Sequence, residues 1–182
     1  MFKLWKEIFR TGEATLKYPF APYETCKDFR GKPEHKAEQC IACAACAIAC
    51  PPNAIHMEND VAAGTRTWEI SYGRCIFCGR CEETCPTGAI RLSRDFELAV
   101  TRKEDMTRRA VFTLAECPSC GKPFAPAKEV AYVAMLLEAQ GAAPEAASRI
   151  RLLAATCPDC KRKYDVQRVT ALGIERHMEA RS

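Results

Sequence analysis

Cys40-Ile41-Ala42-Cys43-Ala44-Ala45-Cys46-Ala47-Ile48-Ala49-Cys50-Pro51 returns, at a constant offset, as Cys75-Ile76-Phe77-Cys78-Gly79-Arg80-Cys81-Glu82-Glu83-Thr84-Cys85-Pro86. The correspondence runs past the cysteines, because Ala54-Ile55 answers Ala89-Ile90. Two copies of one short unit, each closing on proline and a brief β-prone segment, predict a compact α+β domain with pseudo-two-fold symmetry. Its expected span is residues 36–100, with short strands and helices of one or two turns.

A run with a cysteine at every third position can wrap three corners of a 4Fe-4S cube, so the fourth thiolate must come from elsewhere. In the two-cluster bacterial pattern the last cysteine of each run ligates the other cluster. On that pattern Cys40, Cys43, Cys46 and Cys85 hold one cube, and Cys75, Cys78, Cys81 and Cys50 hold the second. Ala42, Ala44, Ala45, Ala47 and Gly79 are small enough for backbone N–H groups to approach sulfur, and Ile41, Ile48, Ile55, Ile76, Phe77 and Ile90 can exclude water. Zinc is the rival ligand for these eight cysteines, but zinc sites use two separated pairs. The crossed arrangement ties the halves together, so the metal-free chain is expected to fold poorly.

Two separated pairs do occur further on, as Cys117-Pro118-Ser119-Cys120 and Cys157-Pro158-Asp159-Cys160. Cys117, Cys120, Cys157 and Cys160 suit a closed tetrahedral S4 site with no open position for substrate, hence a structural one. One mononuclear metal is expected, with zinc placed ahead of iron bound rubredoxin-fashion through the same sulfurs. The four cysteines define a small C-terminal module, residues 101–182, of zinc-ribbon or rubredoxin-like type. Within it, residues 102–109 read as a solvated connector, Pro126 to Leu137 as a helix, Gly141 to Pro144 as a break and Val166 to Met178 as a last helix. Cys26 has no motif partner, and His35, His56 and His177 are isolated surface or packing residues. There is no Gly-rich phosphate loop and no nucleophile-base arrangement, so no substrate site or catalytic residue is expected.

Residues 1–35 read as an N-terminal amphipathic helix followed by an extended docking segment. Phe2, Leu4, Trp5, Ile8 and Phe9 share one side, with Lys3, Lys6 and Arg10 largely on the other, until Tyr18-Pro19-Phe20-Ala21-Pro22 stops it. Packing on a domain or partner and contact with a membrane surface both fit that pattern. Lys6 and Glu7 interrupt what a signal peptide would keep apolar, which favours a cytoplasmic protein whose cysteines are reduced, twelve of the thirteen metal-bound, rather than paired in disulfides. The longest cysteine-free apolar run, Val130 to Leu137, is far short of the roughly 18 residues of a membrane span. A formal net charge of +4 over 182 residues counts cysteines as neutral, so thiolate ligation makes the loaded protein less basic. The positive charges are scattered, and no nucleic-acid partner is expected.

Lys17-Tyr18-Pro19-Phe20, Phe29-Arg30-Gly31-Lys32-Pro33, the two cysteine runs and Phe96-Glu97-Leu98-Ala99 together resemble the dicluster ferredoxin subunits shared by respiratory complex I and the membrane-bound nickel-iron hydrogenases. Cys117-x2-Cys120-x-Lys122-Pro123-Phe124-Ala125-Pro126-x-Lys128, followed by the second pair, resembles the formate hydrogenlyase and hydrogenase-4 branch. Ala44 stands where many relatives have glycine, a small departure because alanine is also small. The resemblance implies an electron-transfer subunit peripheral to the inner face of the cell membrane. Its implied partners are the nickel-iron hydrogenase large and small subunits, membrane-arm subunits and a ferredoxin-type donor subunit. A relay in a complex I-like quinone reductase and a free dicluster ferredoxin are the alternatives, with a scaffold protein holding structural metals a more distant one.

Anaerobically isolated protein is expected to contain about eight cluster irons, matching acid-labile sulfide, and one further metal ion. Zinc without sulfide in elemental analysis would overturn the two-cluster reading.

Overall fold

The computed structural model describes residues 2–13, 15–140 and 144–171. Its elements are α1 (Phe2–Thr11), β1 (Pro33–His35), α2 (Ala45–Ile48), β2 (Ile55–Asp60), β3 (Thr65–Ser71), α3 (Arg80–Glu83), β4 (Ile90–Leu92), β5 (Thr107–Glu116), β6 (Pro123–Pro126), α4 (Ala127–Ala139), α5 (Pro144–Ala155) and α6 (Pro158–Ala171). A 3-10 turn at Lys103–Met106 precedes β5. The chain is thus a mixed helix and sheet protein with a ferredoxin-type centre and a C-terminal four-cysteine group.

The internal repeat is visible in the strand register. Antiparallel β1 and β4 pair Pro33 with Leu92 and His35 with Ile90, while β3 and β2 make the twin pairs Trp68 with Met57 and Ile70 with Ile55. Trp68, Ile70, Ile90 and Pro33 are fully buried, so the four pairs meet in one core around the cysteine runs. The Tyr72 hydroxyl donates to the Pro33 carbonyl at 3.1 Å and joins the two sheets.

Backbone conformation repeats as faithfully as register. Left-handed φ values occur at Ala42 (57°), Ala44 (66°) and Asn53 (49°), and at their twins Phe77 (54°), Gly79 (82°) and Gly88 (62°). Ala42, Ala44, Phe77 and Gly79 flank Cys43 and Cys78, and Asn53 and Gly88 follow the proline exits; a residue with a Cβ in this conformation costs about 1–2 kcal/mol. Glycine at the twin position, Gly79, meets a conformational demand that Ala44 bears at a cost, so smallness alone does not explain the preference for glycine there.

The segment before the first run is fastened at two points. Phe96 receives the rings of Tyr18, Tyr23 and Phe29 at centroid distances of 5.7, 5.6 and 6.0 Å, and the Tyr18 hydroxyl donates to Glu97 at 2.7 Å. Gly31 and Lys32 donate to the Ser93 and Asp95 carbonyls at 2.9 and 2.7 Å. A Cβ at Gly31 would lie 2.3 Å from the Asp95 carbonyl oxygen, which explains glycine there.

Several expectations are corrected. The first helix ends at Thr11, well before Tyr18, because Gly12 takes φ 60° and returns its N–H to Ile8 at 3.1 Å, a left-handed helix stop. Residues up to Arg109 are not a solvated connector throughout: Thr107 to Arg109 open β5, pairing with Ser71 to Glu69. The sheet β2-β3-β5-β6 consequently runs from the ferredoxin-type centre into the four-cysteine group, with a register shift at Ala115 and Glu116. α5 adds a helix where none is expected, and the last helix begins at Pro158 rather than Val166. Residues 141–143 of the expected break, residues 172–178 of the expected last helix, and His177 lie outside the described residues.

Ala44→Gly is expected to stabilise the holoprotein by about 0.5–1 kcal/mol, the relieved strain less the added freedom of the unfolded chain. The thermal midpoint under anaerobic conditions should rise. An unchanged or lower midpoint would show that the alanine methyl packs well enough to offset its backbone strain.

Candidate metal centres

The cysteine runs enclose two small cavities. Cys40, Cys43 and Cys46 line the first, together with Cys85 from the second run. Cys75, Cys78 and Cys81 line the other, together with Cys50 from the first run. The chain brings this about because each run winds through two left-handed residues and a single helical turn, α2 or α3, and then exits through proline toward the opposite sheet.

Backbone amides converge on the sulfurs in matched pairs. Ala42 and Phe77 donate to the Cys40 and Cys75 Sγ at 3.3 Å, and Ala54 and Ala89 to the Cys50 and Cys85 Sγ at 3.2 Å. Amide donors favour thiolate, while burial opposes it. Burial pushes the Cys81 thiol up to about 12 and the Cys40 thiol up to about 11, and raises Cys46 and Cys75 as well. Cys85 is half-buried, and hydrogen bonds from Thr87, Ile90 and Ala89 leave it below its ordinary value. Buried thiols of this kind become thiolates when a cation neutralises them, so ligation releases protons and metal retention weakens as pH falls. Four thiols around each small, largely apolar cavity fit a 4Fe-4S cube, with donors already aimed at sulfur.

The third group is smaller. The sulfurs of Cys117, Cys120, Cys157 and Cys160 all lie within 4.8 Å of one another, and those of Cys120 and Cys157 are 3.8 Å apart. A tetrahedron with metal–sulfur bonds of about 2.3 Å has an edge of about 3.8 Å, so the set fits a mononuclear S4 site. The turn before β6 supplies one pair and the start of α6 the other. Hydrogen bonding of the Cys157 N–H to the Cys117 sulfur holds that thiol down, whereas contact with Cys157 pushes the Cys160 thiol up. The buried cluster here consists of Cys117, Cys157 and Cys160 with Phe124 packed on it. So small an apolar centre needs metal ligation to hold it.

Lys128 has a role that its place in the sequence does not disclose. Its Nζ donates to the Ala37 and Glu38 carbonyls at 2.8 and 3.2 Å and lies 5.6 Å from the Phe112 ring centroid. Beside it, Glu129 faces Arg66 at 3.8 Å, and the Arg66 guanidinium donates to the Ala42 carbonyl at 2.8 Å. The start of α4 is thereby clamped to the first cysteine loop. Cys26 and His56 are exposed, and no contact joins them to the cavities, whereas the His35 ring stacks on Trp68 at 3.9 Å beside the first cavity. Only pairing between distant strands brings that histidine there, so spacing alone carries no signal for it.

Residues 39–89 match the family described as a 4Fe-4S dicluster domain. The chain is 46% identical over 179 residues to formate hydrogenlyase subunit 6 of Escherichia coli (strain K12), with 98% of each chain covered. A chain in the structure of the membrane-bound sulfane sulfur reductase, an archaeal respiratory membrane complex, aligns with 58% of this chain and 59% of its own length, at 30% identity and a TM-score of 0.44. With near-complete coverage at 46% identity, the chain belongs to the formate hydrogenlyase subunit 6 family of 4Fe-4S dicluster proteins.

Proposed function

We propose that this chain is the iron-sulfur electron-transfer subunit of a formate hydrogenlyase-type, membrane-associated nickel-iron hydrogenase complex. The observation that carries the reading is the pair of cavities, each walled by three cysteines of one run and the last cysteine of the other. Cys40, Cys43, Cys46 and Cys85 are assigned to one 4Fe-4S cluster, and Cys50, Cys75, Cys78 and Cys81 to the second. Bound clusters supply reversible one-electron chemistry. The protein's part is to hold eight thiolates, donate amide hydrogens to sulfur and keep water out with Ile55, Ile70 and Ile90. Cys117, Cys120, Cys157 and Cys160 are assigned to a structural zinc ion, since three of the four are buried and the set leaves no open coordination position.

Partner contacts complete the reading. Among the described residues no helix is long and apolar enough to cross a membrane. Phe2, Leu4, Trp5, Ile8 and Phe9 on α1 are all exposed, as are Met135, Leu136, Leu152 and Leu153 on α4 and α5. Apolar surface on that scale fits a subunit covered by neighbours better than a freely diffusing carrier. The neighbours in this reading are the hydrogenase large and small subunits, the membrane arm and a ferredoxin-type donor, with this chain on the cytoplasmic side and without a substrate site of its own. Affinity purification from membranes should recover hydrogenase subunits; recovery of quinone-reductase subunits, or of the chain alone, would reject the assignment.

Two variants test the details. Cys50→Ala should abolish the paramagnetic signal of the cluster wrapped by Cys75, Cys78 and Cys81 while sparing the other, and selective loss of the Cys40, Cys43 and Cys46 cluster would refute crossed ligation. Replacing Trp5 and Phe9 with Ser removes two anchors worth about 1.5–3 kcal/mol each when fully buried, and touches no metal ligand. Both clusters should persist while the protein leaves the membrane fraction; full retention in the assembled complex would show that α1 is not an anchor.

A further inference from the structure

The two cysteine cavities are twins in backbone and unlike in lining. Repeat and register match His35 with Ile70, Trp68 with Pro33, Thr87 with Pro52 and Met57 with Leu92. The cavity of Cys40, Cys43, Cys46 and Cys85 thus has an imidazole, an indole and a hydroxyl where its twin has an isoleucine and two prolines. None of those three twin side chains can donate a hydrogen bond.

Trp68 is the most constrained of the donors. It is only 1% exposed, and its Nε1 is buried without a hydrogen-bond partner in the protein. A buried N–H left unpaired is rare and calls for an acceptor in the space it faces. Trp68 lines the cavity walled by Cys40, Cys43, Cys46 and Cys85, so the acceptors available there are the ligand sulfurs and the cluster they would hold. His35 stacks on the indole with ring planes 15° apart and fixes its orientation. The Thr87 hydroxyl oxygen lies 3.7 Å from the Cys85 sulfur, adding a second polar hydrogen to the same cavity. On the other side Arg80 is the one charged group without a counterpart, and its guanidinium is exposed and paired with Glu83 at 3.1 Å. Each loop also accepts from an arginine, Ala42 from the largely buried Arg66 and Cys78 from the exposed Arg30.

An added electron increases the negative charge on a cluster and its ligand sulfurs, so each hydrogen donated to sulfur stabilises the reduced state and raises the potential. We propose that the two clusters are held at different potentials, with Trp68, assisted by Thr87, making the cluster of Cys40, Cys43, Cys46 and Cys85 the more easily reduced. This rests on the two-cluster reading above. Electron exchange between the sites is then a one-electron redistribution toward that cluster, with no proton or atom transferred. Trp68 is a positioning residue for charge at sulfur, not a ligand.

Potentiometric titration of the anaerobically purified protein, followed by electron paramagnetic resonance with iron and sulfide analysis, tests the proposal. The unaltered protein should reduce in two resolved steps. Trp68→Phe should move the upper step to lower potential and leave the lower one in place. Thr87→Val, which keeps the branched shape, should move the same step in the same direction and decides the matter if Trp68→Phe does not retain its clusters. Full cluster content with a single unresolved step in the unaltered protein, or variants that shift the lower step or neither, would overturn this inference alone. Absence of iron and sulfide from the unaltered protein would instead overturn the two-cluster reading itself.

Discussion

Placing eight thiols around two apolar cavities inside a short α+β unit is the constraint on which the remaining structure depends. Burial opposes ionisation strongly at Cys40 and Cys81, and backbone amides offset part of that opposition at Cys40 and Cys75, while at Cys85 hydrogen bonds outweigh it. Delivering those amides requires left-handed backbone at non-glycine residues, which an isolated peptide would not adopt. The fold accepts this strain because the sheets on either side fix the ends of each loop. Cation binding then supplies the energy that packing alone does not.

The repeat makes the central unit legible in the amino-acid sequence itself. Spacing singles out the eight cysteines and suggests their crossed grouping, because that information is local and chemically specific. Residues chosen by long-range pairing are not legible in the same way. Arg108 and Arg109 look like part of a solvated connector, yet their backbone completes a sheet with β3. Lys128 is one cation among many until its carbonyl partners are known. The demand at Ala44 passes for one of size, since φ leaves no direct trace in composition. Gly12 is recognisable as a helix stop, but the more conspicuous prolines downstream compete for that boundary.

The C-terminal four-cysteine group is bound to the centre by more than a tether. β5 lies in one sheet with β2 and β3, Lys128 holds the carbonyls just before Cys40, and Arg66 spans Glu129 and Ala42. Its own buried cluster is little more than three cysteines and Phe124. Loss of a metal there would therefore loosen supports that reach the first cysteine loop, although none of its sulfurs lines either cavity.

Exchange of the last cysteine between runs also bears on synthesis from the N-terminus. Cys40, Cys43 and Cys46 emerge early, but their cavity stays open until Cys85 exists; the other cavity waits for Cys81. The two enclosures therefore become completable within four residues of one another on the growing chain, and at ordinary elongation rates of about 5–20 residues per second that interval is under about a second. A nascent chain passes only briefly through the stage at which one site is completable and the other is pending. Loading of the pair is a single decision, made after both halves have left the ribosome.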